Sequence, residues 1–180
     1  MKKNALMMIG LFALLFTFSS CGGGGDTSSS EGATAEKPKS MIAEPEAPIE
    51  VSADGSTVTV RLTGDDMMKY NLNKIEVKAG QKINLTLTHT GKMKKEVMGH
   101  NFVLLKPGVD VDAFATEATK HKDSDYIPTN MEGDIIAHTS LVGGGESTSV
   151  SFDAPAPGTY KYICSFPAHH ITMNGELIVN

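Results

Sequence analysis

The sequence has two cysteines in 180 residues, no apolar run long enough to cross a bilayer as a helix, and no excess of basic charge. Each shortage excludes something. Two cysteines, Cys21 and Cys164, allow at most one disulfide, and the surroundings of each argue against even that one. Sixteen Lys and Arg against 21 Asp and Glu give a net charge of −5, which offers no general reason to bind nucleic acid or anionic headgroups. The longest apolar stretch, residues 5–18, falls short of the ~20 residues a spanning helix needs. Beyond these shortages the composition is ordinary for a globular chain, with 40% hydrophobic and 21% charged residues. A domain of about 130 residues can bury a real core without covalent staples. No internal repeat is visible.

The first fifty residues read as a processed leader and a tether. Lys2 and Lys3 precede the apolar run ALMMIGLFALLFTF, the form of a signal-peptide core. Ser19-Ser20-Cys21 follows and resembles the lipobox of bacterial lipoproteins, with Phe18 where leucine is commonest. That resemblance implies a diacylglycerol on the Cys21 sulfur and cleavage after residue 20. Acyl chains contribute about 0.8 kcal/mol per buried CH₂, so more than one chain anchors stably. Residues 22–48 are rich in Gly, Ser, Ala, Glu and Pro, a linker composition. At about 3.3–3.6 Å per residue that linker reaches on the order of 90 Å when stretched. The expected division is a lipoprotein signal peptide over 1–20, a lipidated flexible linker over 21–48 and a folded domain over 49–180.

The domain reads as short strands. Residues 57–62 alternate, and residues 82–89 alternate strictly, with Ile83, Leu85, Leu87 and His89 on one face. Further strands are expected at 73–78, 97–105, 133–138, 147–152, 158–164 and 175–179, separated by Gly, Pro, Asn and Asp. About eight strands in this length predict an all-β, Greek-key β-sandwich. Residues 110–122, DVDAFATEATKHK, carry helix formers and predict a short inserted helix. The KMKK run at 92–95 reads most simply as a solvated turn.

Near the C-terminus, Cys164, His169 and Met173 bring a thiol, an imidazole and a thioether within ten residues. A Phe-Pro turn between Cys164 and His169 can fold the later groups back toward the sulfur. A second imidazole, His100, stands on an earlier segment. Two imidazoles and a thiolate with a weak axial methionine form the blue-copper arrangement, although such ligands also suit zinc. A binuclear copper site would need a second cysteine at 168, where the chain has alanine. The His clusters of multicopper enzymes are not visible, so no enzymatic activity is expected.

VMGHNFVLL at 97–105 and CSFPAHHITMNGEL at 164–177 resemble the ligand segments of the azurin family of cupredoxins. LTHTG at 87–91, GDDMMKYN at 64–71 and IAHTSLVGGGESTSVSF at 136–152 extend the likeness over nearly the whole domain. The resemblance implies one copper ion cycling between Cu(I) and Cu(II). It implies His100, Cys164 and His169 as equatorial ligands, Met173 as axial ligand and the Gly99 carbonyl as a second weak contact. It assigns Asn101 to tying the ligand loops together, Phe166 to packing over the site, and His89 to lying near the metal without binding it. His170 is expected to point elsewhere, and His121 and His138 to be ordinary structural or surface residues. The family disulfide is missing, since Gly80 stands at one of its positions, and its loss forgoes about 2–4 kcal/mol. Ser165 replaces the usual threonine, and Ala168 replaces the usual glycine.

The implied function is one-electron transfer between extracytoplasmic redox partners, with copper storage or delivery in the cell envelope as the alternative. Cytochromes or oxidoreductases would dock at an apolar face near His169 formed by Met68, Met93, Met98, Phe166, Pro167 and Ala168. The lipid on Cys21 would supply the membrane contact. Gly22 stands where some bacteria place an inner-membrane retention aspartate, which favours the outer membrane or periplasmic side.

Overall fold

Thr57–Gly64 alternates β-branched and apolar residues, and every second side chain is buried. That period of two is what a strand with one solvated face requires. The computed structural model describes residues 46–180, and the expected signal peptide, linker start and Cys21 lie outside them. Among the described residues nine strands form: β1 (Ile49–Val51), β2 (Thr57–Gly64), β3 (Lys74–Val77), β4 (Lys82–His89), β5 (Val103–Leu105), β6 (Ile135–His138), β7 (Ser147–Asp153), β8 (Gly158–Ile163) and β9 (Asn174–Val179). They make a four-stranded sheet, β1-β2-β4-β7, and a five-stranded sheet, β3-β9-β8-β5-β6. β2 pairs with β4, and β3 with β9, in parallel; the other pairs are antiparallel.

The inward faces of the two sheets meet in one core. Val58, Val60, Leu62, Ile83, Leu85 and Leu87 from the first sheet pack with Ile75, Leu104, Tyr162 and Leu177 from the second. Each such side chain contributes roughly 1.5–3 kcal/mol by leaving water. Tyr162 is fully buried, and its hydroxyl donates to the Leu72 carbonyl at 2.8 Å. A smaller cluster, Val103, Leu105, Phe114, Ile127 and Ile163, fills the space on the outer side of the second sheet.

The expected inserted helix is present but shorter. α2 covers Val111–Ala118; Asp110 caps it by accepting the Ala113 N–H at 3.0 Å, and Phe114, Ala115 and Ala118 face inward. Beyond Ala118 the backbone tightens: Lys120 N–H bonds Glu117 O and His121 N–H bonds Ala118 O. These three-residue bonds end the α geometry, and a separate 3₁₀ turn follows at Lys122–Ser124.

The strand expected over 97–105 is a correction. Only Val103–Leu105 is strand, and Lys95–Met98 forms a single helical turn, α1. The Val97 and Met98 amides both bond the Lys94 carbonyl at 3.0 Å, so local bonds satisfy them instead of a sheet ladder. Gly143 and Gly144 allow this turn to pack closely. A Cβ on Gly144 would lie 2.5 Å from the Lys92 backbone, and one on Gly143 2.6 Å from Lys95 N.

The sandwich end that matters is set by register. Gly64 at the end of β2 pairs with His89 at the end of β4, and β8 ends one residue before Cys164. Four chain segments therefore converge there: 64–70, 89–101, 125–126 and 164–173.

Candidate metal centre

The strand β8 delivers Cys164 to this end fully buried. The segment after it closes on itself. Cys164 N–H donates to Met173 O at 2.9 Å, His169 N–H to Phe166 O at 3.0 Å, and Met173 N–H to His169 O at 2.7 Å. His100 arrives from the opposite side on an isolated bridge, exchanging both backbone bonds with Val142 at 2.8 and 2.9 Å. Its ring is fully buried.

The donor atoms of His100, Cys164 and His169 lie within 4.8 Å of one another. Cys164 Sγ is 3.6 Å from His169 Nδ1 and 3.8 Å from the Gly99 carbonyl oxygen. His100 Nε2 sits 2.9 Å from Asp65 O. A carbonyl only accepts, so Nε2 carries the proton and Nδ1 is left as a bare lone pair. That Nδ1 is buried and has no hydrogen-bond partner among the described residues. A buried polar atom left unsatisfied costs about 1–3 kcal/mol, and a metal ion is the partner that a lone pair facing a thiol and a second imidazole suits. The residues therefore fit a metal chemically.

Met173 is buried in the same cluster as Cys164 and Phe166. Its methyl and the His100 ring both lie against Gly64. A Cβ there would come within 2.7 Å of His100 Cδ2 and 3.0 Å of Met173 Cε. Gly64→Ala is therefore expected to push both side chains out of place. Overpacking of this kind destabilises by about 1–3 kcal/mol, and a thermal melt of the metal-free protein checks it. Metal affinity, titrated in parallel, is expected to fall by roughly 10–100-fold, as for other losses of ligand support.

Burial governs the charge states. It pushes the Cys164 thiol up to about 12, against the opposing influence of the Asn101 and Phe166 backbone N–H groups and the Tyr70 hydroxyl. Burial first, then the neighbouring His100 and His89 imidazoles, lowers His169 to about 4. His100 is also lowered, chiefly by burial. At neutral pH the metal-free site thus holds a protonated thiol and two neutral imidazoles. Metal loading at pH 7 is expected to release one proton, from Cys164, and none from the histidines. Calorimetry in buffers of different ionisation enthalpy counts it. The same shift sets an acid limit. The unfolded chain takes up a proton at His169 near pH 6.5, while the folded chain resists until about pH 4. Stability of the metal-free domain is therefore full above that window and is lost as pH falls through it.

A buried polar bracket holds the two ligand-bearing segments together. The Asn101 side chain accepts the Ser165 N–H at 2.8 Å and donates to Ser165 Oγ at 2.8 Å and to Asp125 O at 2.9 Å. Ser165 Oγ in turn donates to Tyr126 O at 2.8 Å. Phe166 packs over the His169 ring with centroids 4.6 Å apart, and Tyr126 packs edge-on against Phe166. The Tyr70 hydroxyl donates to the Asn101 carbonyl.

A family model for copper-binding proteins, plastocyanin/azurin family, matches residues 51–180. The chain belongs to that family. Similar proteins include azurin of Alcaligenes faecalis, 40% identical over 66% of this chain and 94% of the relative. Outer membrane protein H.8 of Neisseria gonorrhoeae is 39% identical over 63% of this chain, and the match spans 62% of that protein's length. Among solved structures, dithionite-reduced auracyanin of Roseiflexus castenholzii aligns with a TM-score of 0.61 and 34% identity, over 68% of this chain and 96% of the other. Copper is thus the metal, and His100, Cys164 and His169 are grouped as a site for it.

For this member of the plastocyanin/azurin family, the structure brings together Gly99, His100, Cys164, His169 and Met173, with Asn101 and Phe166 around them. His89 is fully buried and stacks on the His100 ring at 4.2 Å. Its Nε2 bonds the Met98 carbonyl and its Nδ1 accepts the Gly91 N–H, so both nitrogens are occupied. His170 points away from the group, with Nε2 3.4 Å from Asp112. Its Nδ1 is the other buried ring nitrogen without a partner among the described residues.

Sequence reasoning missed the backbone strain around the site. Met68, Asp125, Tyr126 and Ala168 are the non-glycine residues with positive φ among those described. All four lie in segments that close on the site. Such strained residues cluster where surrounding structure over-determines them. For Ala168, at φ 66°, the available signal was the alanine standing where the family has glycine.

Proposed function

We propose that the chain is a one-electron carrier with a single copper held by His100, Cys164, His169 and the weaker groups Met173 and the Gly99 carbonyl. The observation that carries this reading is the buried, unpartnered His100 Nδ1 facing Cys164 and His169. Copper bound there would supply a one-electron couple, with soft sulfur ligands suiting Cu(I) and imidazoles suiting both states. The chain's own contribution is rigidity. Asp65 O fixes the His100 ring, the Asn101 bracket fixes the Cys164 segment, and Phe166 fixes the His169 ring. A scaffold that holds its ligands through a change of charge keeps reorganisation small. His169 is 3% exposed, so the metal would sit just beneath the surface, dry yet close enough to exchange electrons with a docked redox protein. These features favour transfer over storage or delivery, which needs ligands that open.

We place this carrier in the bacterial cell envelope, lipid-anchored through Cys21 and facing the periplasm or outer membrane. The lipobox-like Ser19-Ser20-Cys21 and the similarity to outer membrane protein H.8 support the location. Its partners are extracytoplasmic redox proteins. Rapid electron self-exchange in a mixed Cu(I)/Cu(II) sample, with copper retained against a chelator, is the expected result. Slow exchange with ready copper loss would instead support the delivery reading. For the anchor, Cys21→Ser should move the chain from the membrane to the soluble fraction; an unchanged distribution would refute lipidation.

A further inference from the structure

One side of the rim of the copper end is basic on a chain whose net charge is −5. Two loops form that side. The 65–69 loop touches the site through Asp65 O on His100 and through Met68, which packs on the Cys164 cluster and accepts the Thr172 hydroxyl at 2.8 Å. The 91–98 loop is fastened to it by the Asp66 carboxylate, which accepts the Lys92 N–H at 2.8 Å and the Met93 N–H at 3.2 Å. Asp65 is turned inward likewise, accepting the Met67 and Lys69 amides at 3.0 and 3.1 Å.

With both aspartates engaged by backbone, the outward side chains are mainly of two kinds. Met67, Met93 and Val97 are 68%, 44% and 62% exposed. Lys69, Lys92, Lys94 and Lys95 are exposed as well, and none of the four pairs with a carboxylate among the described residues. Glu96 is the single exposed acid on these loops. Four lysines against one exposed acid leave this apolar surface bordered by mainly positive charge, which suits it to docking, since the border steers and orients while the apolar part is buried.

We infer that this basic collar selects an acidic redox partner, one with carboxylates surrounding an apolar patch at its own cofactor edge. The inference rests on the electron-carrier reading and names the charge class of its partner. The collar borders the copper end, where a productive encounter must occur. The remaining surface carries the net negative charge and turns such a partner away, so attraction and reactive geometry coincide. An anionic bilayer would meet that same repulsion over most of the molecule.

Electron exchange of the full copper-loaded chain should be followed with two forms of one partner: a lysine-rich cytochrome c, and the same cytochrome with its lysines succinylated. At low ionic strength the succinylated form is expected to react about tenfold or more faster, as electrostatic steering allows. That advantage should vanish near 1 M salt, where the Debye length is about 3 Å. The variant Lys69→Glu/Lys92→Glu/Lys94→Glu should keep its copper absorption and lose the advantage. A variant that reacts with the succinylated cytochrome as fast as the native chain would overturn the inference. So would collar lysines protected from acetylation by phosphatidylglycerol vesicles but not by the succinylated cytochrome. If the copper-loaded chain exchanges electrons with neither form, the carrier reading itself fails, and this inference with it.

Discussion

Cys164→Ser is expected to abolish the blue absorption of the copper-loaded protein while leaving the fold intact. The colour of such sites belongs to the copper–thiolate bond, and Cys164 is the only thiol among the described residues. A serine hydroxyl is far too weak an acid to take the thiolate's place, so any copper that still binds does so through the imidazoles, in a colourless or weakly coloured complex. The expected structural penalty is modest. Cys164 is completely buried, and its sulfur lies 3.8 Å from the Gly99 carbonyl and 3.6 Å from His169 Nδ1. A serine hydroxyl would thus be buried with a poor partner, which costs about 1–3 kcal/mol. Absorption spectroscopy and a denaturant melt on the same variant separate the two effects. A variant that stays blue would remove Cys164 from the ligand set.

Asn101→Ala is expected to produce the largest loss of stability without touching a ligand. One amide makes three bonds, two of them buried, to Ser165 N–H and Ser165 Oγ, and a third, part-buried, to Asp125 O. Truncation leaves the Ser165 N–H without its acceptor in a dry environment and frees the Cys164 segment from the His100 segment. Unsatisfied buried groups of this kind sum to about 3–5 kcal/mol. Loss of a group that orients ligands also lowers metal affinity by roughly 10–100-fold. Both quantities are measurable, by chemical denaturation of the metal-free form and by competition titration of copper. A variant as stable as the native chain would mean that water replaces the amide.

The sequence made the sandwich and most of the centre legible because their signals are local. Strict alternation over 82–89 marked a strand with one buried face, and that face, His89 included, is buried. Cys164, His169 and Met173 share ten residues, so their spacing alone suggested a metal. What stayed hidden depends on backbone atoms and on distance along the chain. The Asp65 carbonyl that sets the His100 tautomer is 35 residues away from it and carries no side-chain signature. The Tyr70 hydroxyl reaches Asn101 across 31 residues. The apolar Val97 and Met98 looked like the start of a strand, because nothing local announces that the Lys94 carbonyl collects both their amides. The KMKK run reads as a solvated turn until the Asp66 contacts show which end of the sandwich it borders.

The most direct test of the centre is titration of the purified metal-free protein with Cu(II), followed by absorption and electron paramagnetic resonance. One equivalent should give an intense blue band with a narrow copper hyperfine splitting. A colourless complex, or an ordinary tetragonal copper signal with wide splitting, would contradict the arrangement of His100, Cys164, His169 and Met173 proposed for this chain.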